Sequence, residues 1–166
     1  MRLVNFTKSP PETSTFAGKC TVPAVAYGHR LETARFRYPE ILVADSFNSF
    51  VFVYDFYRDL IMINLTTDES TKIHTFASAV TDMRFFGDDV LYFIQYYQVL
   101  LFNINSNEVN VIAGNGSGDA TGPFELARFN HLFGLLMWPY GEDEVLLVAD
   151  SDNDGLLIGF STIFSF

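Results

Sequence analysis

An all-β fold is what this 166-residue sequence predicts, and three observations carry it. Short runs rich in β-branched and aromatic residues recur along the chain, bounded by Gly, Asn, Asp and Ser turns, the pattern of strands. No amphipathic helical period persists for three turns anywhere. The runs also repeat in a fixed order, marked by an apolar-Asn-apolar word: Leu3-Val4-Asn5-Phe6, Met62-Ile63-Asn64-Leu65 and Leu101-Phe102-Asn103-Ile104. Leu157-Ile158-Gly159-Phe160 fits the same place with Gly for Asn, and the three spacings between the four words are 59, 39 and 56 residues.

The marked word ends the third strand, c, of each unit. A polar turn follows the first three, and then strand d: Ser14-Thr15-Phe16-Ala17, Ile73-His74-Thr75-Phe76 and Val109-Asn110-Val111-Ile112. Upstream lies strand b, at 50–55, 90–95 and 145–150. Before it comes strand a: Ile41-Leu42-Val43-Ala44-Asp45, Met83-Arg84-Phe85-Phe86 and Leu135-Leu136-Met137-Trp138. Four strands joined by short turns make a meander sheet, and such sheets in tandem predict the blades of a β-propeller. The expected division is 1–18 (strands c and d of a first blade), 19–76 (a long blade), 77–112 (a short blade) and 113–166 (a partial long blade), all in one propeller domain. About three blades of strands are present where propellers use roughly four to eight. The expected ring is therefore incomplete, to be completed by more chain or another subunit.

A longer period near 95 residues lies over this order. Ala17-Gly18 to Ala113-Gly114 is 96 residues, Ala34-Arg35-Phe36 to Ala127-Arg128-Phe129 is 93, and Asp55 to Asp150 is 95. Val43-Ala44-Asp45-Ser46 spells almost the same word as Val148-Ala149-Asp150-Ser151, yet it stands 105 residues away. In the 95-residue frame Asp55 is the partner of Asp150, and Asp45 ends strand a.

Ala-Gly, a Gly-rich polar loop, Ala-Arg-Phe and a strand ending in Asp resemble the NHL repeat. Ala113-Gly114-Asn115-Gly116-Ser117-Gly118-Asp119 with Ala127-Arg128-Phe129 is the better copy. Thr15-Phe16-Ala17-Gly18 with Tyr27-Gly28-His29-Arg30 and Ala34-Arg35-Phe36-Arg37-Tyr38-Pro39 is the other. The resemblance spans about residues 13–160, but Gln95 replaces the Asp in the short blade. It implies a six-bladed propeller and no single task, since the family includes extracellular binding domains, RNA-binding domains and a metal-dependent amidating lyase.

Composition excludes several classes. Apolar residues make up 49%, enough for a packed core. Aromatics reach 16%, with 18 Phe and 8 Tyr, while charged residues total 18%, against about 25% in a typical soluble domain. Blade sides awaiting neighbouring blades would account for part of that surplus. The net charge is −10, from 20 acids and 10 bases with no run of three bases, which disfavours nucleic acid and anionic lipid. No run nears the roughly 18 apolar residues of a membrane span. The first seven residues turn polar too early for a signal peptide, so the expectation is a non-secreted protein or a processed or internal piece. Cys20 stands alone, which excludes an internal disulfide and a Cys-based zinc site.

Loops on a rigid scaffold concentrate binding residues. In a meander blade the b–c turns and d-to-a links share one face, here carrying loops 19–33 and 115–126. The expected partner-binding residues are Phe56, Tyr57, Arg58, Tyr96, Tyr97, Asn115 and Asp119. The alternative is that these aromatics fill gaps between blades. The loop Gly114-Asn115-Gly116-Ser117-Gly118 lacks the helix that a phosphate cradle requires.

Asp150-Ser151-Asp152-Asn153-Asp154-Gly155 spells D-x-D-x-D-G, so Asp150, Asp152 and Asp154 are candidate ligands for calcium, the one possible cofactor. Against it, Ser161 occupies the twelfth position, and Asp150 and Asn153 suit a plain turn. His29, His74 and His131 form no zinc-binding spacing, and no G-x-S-x-G is present. Arg35 and Arg128 repeat and suit scaffold roles. Asn5, Asn64 and Asn115 head N-x-Ser/Thr triplets, candidate glycosylation sites and the one positive hint of a secretory route. The function expected is a non-enzymatic protein- or glycan-binding scaffold in a larger extracellular assembly. The alternative is part of a metal-dependent propeller hydrolase or lyase.

Overall fold

The computed structural model describes residues 1–19, 24–56, 58–87, 89–140 and 143–161. The fold is all-β, in two compact units, Met1–Ala77 and Ser78–Phe166. No helix among the described residues is long and apolar enough to cross a membrane.

In the first unit, β1 (Arg2–Asn5) and β2 (Glu12–Thr15) pair antiparallel as a two-stranded sheet. A second sheet holds β4 (Pro39–Ala44), β5 (Phe50–Asp55), β6 (Asp59–Asn64) and β7 (Glu69–Thr75) as an a-b-c-d meander. The two central strands read as near-continuous apolar runs because both their faces are covered. Phe52, Val53 and Tyr54 of β5 and Leu60, Ile61 and Ile63 of β6 are all buried. Outer strand β7 is mostly polar and mostly exposed, with Ser70 its one buried residue.

One strand has no counterpart in the sequence reading. Gly28–His29 forms β3, which pairs with the outer edge of β7. Ser70 Oγ accepts from Gly28 N at 3.2 Å and donates to Gly28 O at 2.8 Å, and this short strand covers an edge that would otherwise be open. Arg30 fastens the same loop. Its Nε donates to Asp68 Oδ1 and its Nη1 to Phe16 O, each at 2.6 Å, while the guanidinium lies 5.0 Å from the Phe16 ring centroid. The hydrogen bond from Arg30 is the main cause holding the Asp68 carboxyl below its ordinary range.

In the second unit, β8 (Asp82–Phe86), β9 (Val90–Gln95), β10 (Gln98–Asn103) and β11 (Glu108–Ala113) form the short-blade meander. A three-stranded sheet follows: β12 (Leu132–Tyr140), β13 (Asp143–Asp150) and β14 (Gly155–Ser161). The two sheets share a core containing Ile94, Leu101, Phe129, Leu132, Leu135 and Val148. They are also stapled by polar bonds: Asp82 Oδ2 accepts from Leu135 N at 2.9 Å, and Thr81 Oγ1 donates to Leu132 O at 2.9 Å. On β12, Leu135 is buried, whereas Leu136 and Trp138 stand 47% and 54% exposed.

The repeated words have local causes. Asn5, Asn64 and Asn103 each end a strand c and accept on Oδ1 from the backbone N–H two residues on: Thr7, Thr66 and Asn105. This is the Asx bond that opens a turn. Asp55 Oδ2 accepts from Arg37 N, and Asp150 Oδ1 from Asn130 N, both at 2.8 Å. The last residue of strand b thus clamps the segment entering strand a. In the short blade Gln95 does so in reverse, its Nε2 donating to Ser78 O at 3.0 Å. Asp45 does something else: its Oδ1 accepts from Ser49 N and Phe50 N in the a–b turn. Asp55 is therefore the partner of Asp150, and the shared wording at Asp45 is coincidence. Ala17, Ala34, Ala113 and Ala127 of the Ala-Gly and Ala-Arg-Phe words are all buried.

Candidate functional site

In the first unit, the end carrying the b–c turn places Phe56 edge-on to Tyr38, with ring centroids 6.2 Å apart. Both rings are mostly exposed. Phe56 N donates to Tyr38 O at 3.0 Å, which holds the two loops together. Beside them, Tyr27 donates its hydroxyl to Asp59 Oδ2 at 3.1 Å, and Thr75 Oγ1 donates to Asp59 Oδ1 at 2.6 Å. Lys72 Nζ lies 3.5 Å from the same carboxylate. Burial first, and then the Asp59 carboxylate, push the Tyr27 phenol up to about 12. Arg58, expected at the partner surface, sits in the turn with φ 69°, and its guanidinium donates to Ala77 O. Tyr57 lies outside the described residues.

In the second unit, Tyr96 and Tyr97 meet at right angles, with centroids 5.5 Å apart. Tyr96 is also stacked on His131 at 5.1 Å, and His131 meets the edge of Phe133 at 5.9 Å. Asp152 Oδ1 stands 3.6 Å from His131 Nδ1. The result is one continuous aromatic patch, with Tyr96 59% and Phe133 62% exposed.

The backbone builds this patch firmly. Leu132 N donates to Tyr96 O at 2.6 Å, tying two blades together beside it. Ser151 Oγ donates to His131 O at 2.7 Å. His131 itself takes the left-handed conformation, at φ 64°. Leu132 pairs with Asp150 and Gly134 with Ala149, leaving Phe133 as the extra residue of a β-bulge. A bulge re-aims its side chain, and here it turns an apolar ring out toward the loops. In the long blade of the first unit the same place in the 93-residue frame, Glu40, is also the extra residue.

Loop 115–126 adjoins the patch. Asn115 N donates to Ala127 O at 2.7 Å, and the side chains of Asn115 and Asp119 are exposed. Asn153 Nδ2 donates to Gly118 O at 2.7 Å and so joins this loop to the 151–154 turn. Gly114 has φ 101°, and a Cβ there would stand 2.1 Å from Tyr97 O, so the loop lies directly on the tyrosine turn. Two hollows border the loop, of about 80 and 270 Å³. Both are smaller than the roughly 300–1,000 Å³ of a small-molecule pocket.

Of the candidate calcium ligands, Asp150 is engaged in the turn. Asp150 is 1% exposed, with one oxygen taken by Asn130 N and the other by Asn153 Nδ2, each at 2.8 Å. Asp152 faces His131, and Asp154 occupies a left-handed turn position at φ 51°. No three His, Cys, Asp or Glu side chains among the described residues are grouped to hold a metal ion. The D-x-D-x-D-G word is a turn closed by its first Asp and its Asn. His131, Phe133 and Tyr38 were missed as surface residues, because neither a bulge nor a stack between loops distant in sequence leaves a mark in spacing.

These meander sheets, with their clamped strand ends, define a β-propeller-type chain. Among solved structures, the crystal structure of Saccharomyces cerevisiae Sqt1, a WD40 β-propeller protein, is similar at a TM-score of 0.54 and 12% identity. The match covers 76% of this chain and 32% of that one, so this chain spans about a third of Sqt1's length. No family model and no curated protein matches the sequence. The NHL resemblance therefore rests on the quoted residues alone.

Proposed function

We propose that this chain is a non-enzymatic binding module that holds a polypeptide partner on the loop face of its blades. The observation that supports it most is the Tyr96–Tyr97–His131–Phe133 patch, with large aromatic area exposed on a backbone fixed by inter-blade hydrogen bonds. Rigid aromatic side chains give contact area at small entropic cost and dominate protein interfaces. For the hydrolase or lyase alternative no observation speaks as directly, and of the candidate ligand carboxylates Asp150 is engaged in its turn.

Replacing Tyr96 by a photo-crosslinking phenylalanine analogue in the source cells tests the reading, with Asn105 on the opposite c–d turn as reference. Polypeptide adducts should form at position 96 in clear excess over position 105. Equal labelling at the two positions would refute it.

An extracellular setting belongs to the same proposal. Asn5 and Asn64 use Oδ1 for their turns, whereas a glycan attaches through Nδ2. Loss of mass on glycosidase treatment of the native protein would support this setting. An unmodified mass at all three triplets, Asn115 included, would remove its main support.

A further inference from the structure

The charge of the chain is not spread evenly. Residues 78–166 hold twelve Asp and Glu against two Arg and no Lys, while residues 1–77 hold eight acids against eight bases. The whole net charge of −10 therefore belongs to the second unit. Of its two arginines, one is paired with a carboxylate and the other is exposed with its stem packed on the loop. Arg84 Nη1 lies 2.5 Å from Asp82 Oδ1, and the aliphatic stem of Arg128 lies over Gly118.

This same unit exposes the aromatic patch. Asp152 stands at its edge, beside His131, and Asp119 follows Gly118, whose carbonyl is bound to the 151–154 turn. Aromatic faces attract cations, and carboxylates beside them complete the two-sided grip that a guanidinium fits best. A partner rich in acids would be repelled by the field of the unit, and a purely apolar one would leave Asp152 beside it without a counter-charge. We infer that the Tyr96–His131–Phe133 patch binds a basic segment of a partner polypeptide, with an Arg or Lys side chain laid on the exposed rings and paired with Asp152. This inference rests on the binding-module reading and adds the chemistry of the partner.

The test uses the full chain and a short labelled Arg/Gly peptide, with an Asp/Gly peptide of equal length as reference, read by fluorescence anisotropy. The Arg/Gly peptide should bind, and more weakly on raising salt from about 50 to about 500 mM. The Asp/Gly peptide should not bind. Tyr96→Ala and Phe133→Ala should each weaken the Arg/Gly peptide about five- to tenfold, the scale of a cation–aromatic contact. Asp152→Asn should weaken it several-fold, while Glu108→Gln, an equal charge change at a c–d turn, should leave it within about twofold. Far-ultraviolet circular dichroism matching the parent identifies the variants that remain folded.

Equal losses for Asp152→Asn and Glu108→Gln, or no loss for both aromatic variants, would reduce the effect to net charge and overturn the site. If the Arg/Gly peptide fails to bind while position 96 still crosslinks to polypeptide, the basic partner is refuted and the binding module stands. Failure of both experiments refutes both.

Discussion

Gly114 is where the second unit's loop face is most sensitive to one added carbon. Its φ of 101° lies in a region that side chains disfavour, and a built Cβ falls 2.1 Å from Tyr97 O and 2.9 Å from Gln98 Cα. Gly116, two residues on, has nearly the same φ, 98°, with nothing within 4 Å of a built Cβ. The pair separates conformational strain from collision. Gly116→Ala should cost about 1–2 kcal/mol, for backbone strain alone. Gly114→Ala carries the same strain and must also push the Tyr97 backbone back by about 1 Å, since real contacts of this kind lie beyond about 3 Å. That should add about 2 kcal/mol or more, because the turn is anchored on both sides by ladder hydrogen bonds and cannot yield freely. Urea unfolding reads the difference as a midpoint shift at constant slope. By melting, the extra cost is about 4–8 °C for a chain of this size. The same substitution should displace Tyr96 and Tyr97, so Gly114→Ala should also weaken the Arg/Gly peptide while Gly116→Ala does not. Equal destabilisation by the two variants would refute the packing of this loop on the tyrosine turn.

Two other expectations concern single hydrogen-bonding groups. Asp150→Ala leaves the half-buried Asn130 N–H without its acceptor and should cost about 1–3 kcal/mol in urea unfolding. Calorimetric titration of the parent chain with Ca²⁺ to about millimolar should give no heat of binding, whereas calcium sensors bind well below that concentration; stoichiometric uptake would overturn the reading of Asp150 as a turn staple. Tyr27 gives a pH signature. With its pKa raised from 10.0 to about 12, the folded chain holds a proton that the unfolded chain releases earlier. The stabilisation from this group is complete below about pH 10 and is lost as pH rises through about 12, so stability should fall across that window. Tyr27→Phe should flatten that part of the fall relative to the parent in urea titrations at stepped pH, and parallel profiles would count against the Asp59 bond.

The strand order was legible because each blade must bury strands b and c on both faces and strand d on one. That requirement writes itself into Phe50–Asp55 and Val90–Gln95 as apolar runs and into Glu69–Thr75 as a mostly polar strand. The Asn that opens each c–d turn and the Asp or Gln that closes strand b are equally local needs, so they recur at readable spacing. Strand β3 was not legible. Two residues carry no periodicity, and Gly28–His29 becomes a strand only because the edge of β7, some forty residues on, is there to pair with it.

The site divides in the same way. Tyr96 and Tyr97 were readable as turn aromatics, and loop 115–126 as a long connection on the same face. That the Arg58 guanidinium donates to Ala77 O was not readable, because nothing in the sequence shows which distant carbonyl it meets. The stack of Tyr96 on His131, and the bulge that turns Phe133 outward, join residues some 35 positions apart. The sequence by itself determined the all-β class, the blade order and the acidity of the second half, because these follow from periodicity and count. Only the tertiary structure decided which aromatics form one surface and that Asp150 serves a turn, because both depend on which distant backbone donors and rings the folded chain brings within a few ångströms.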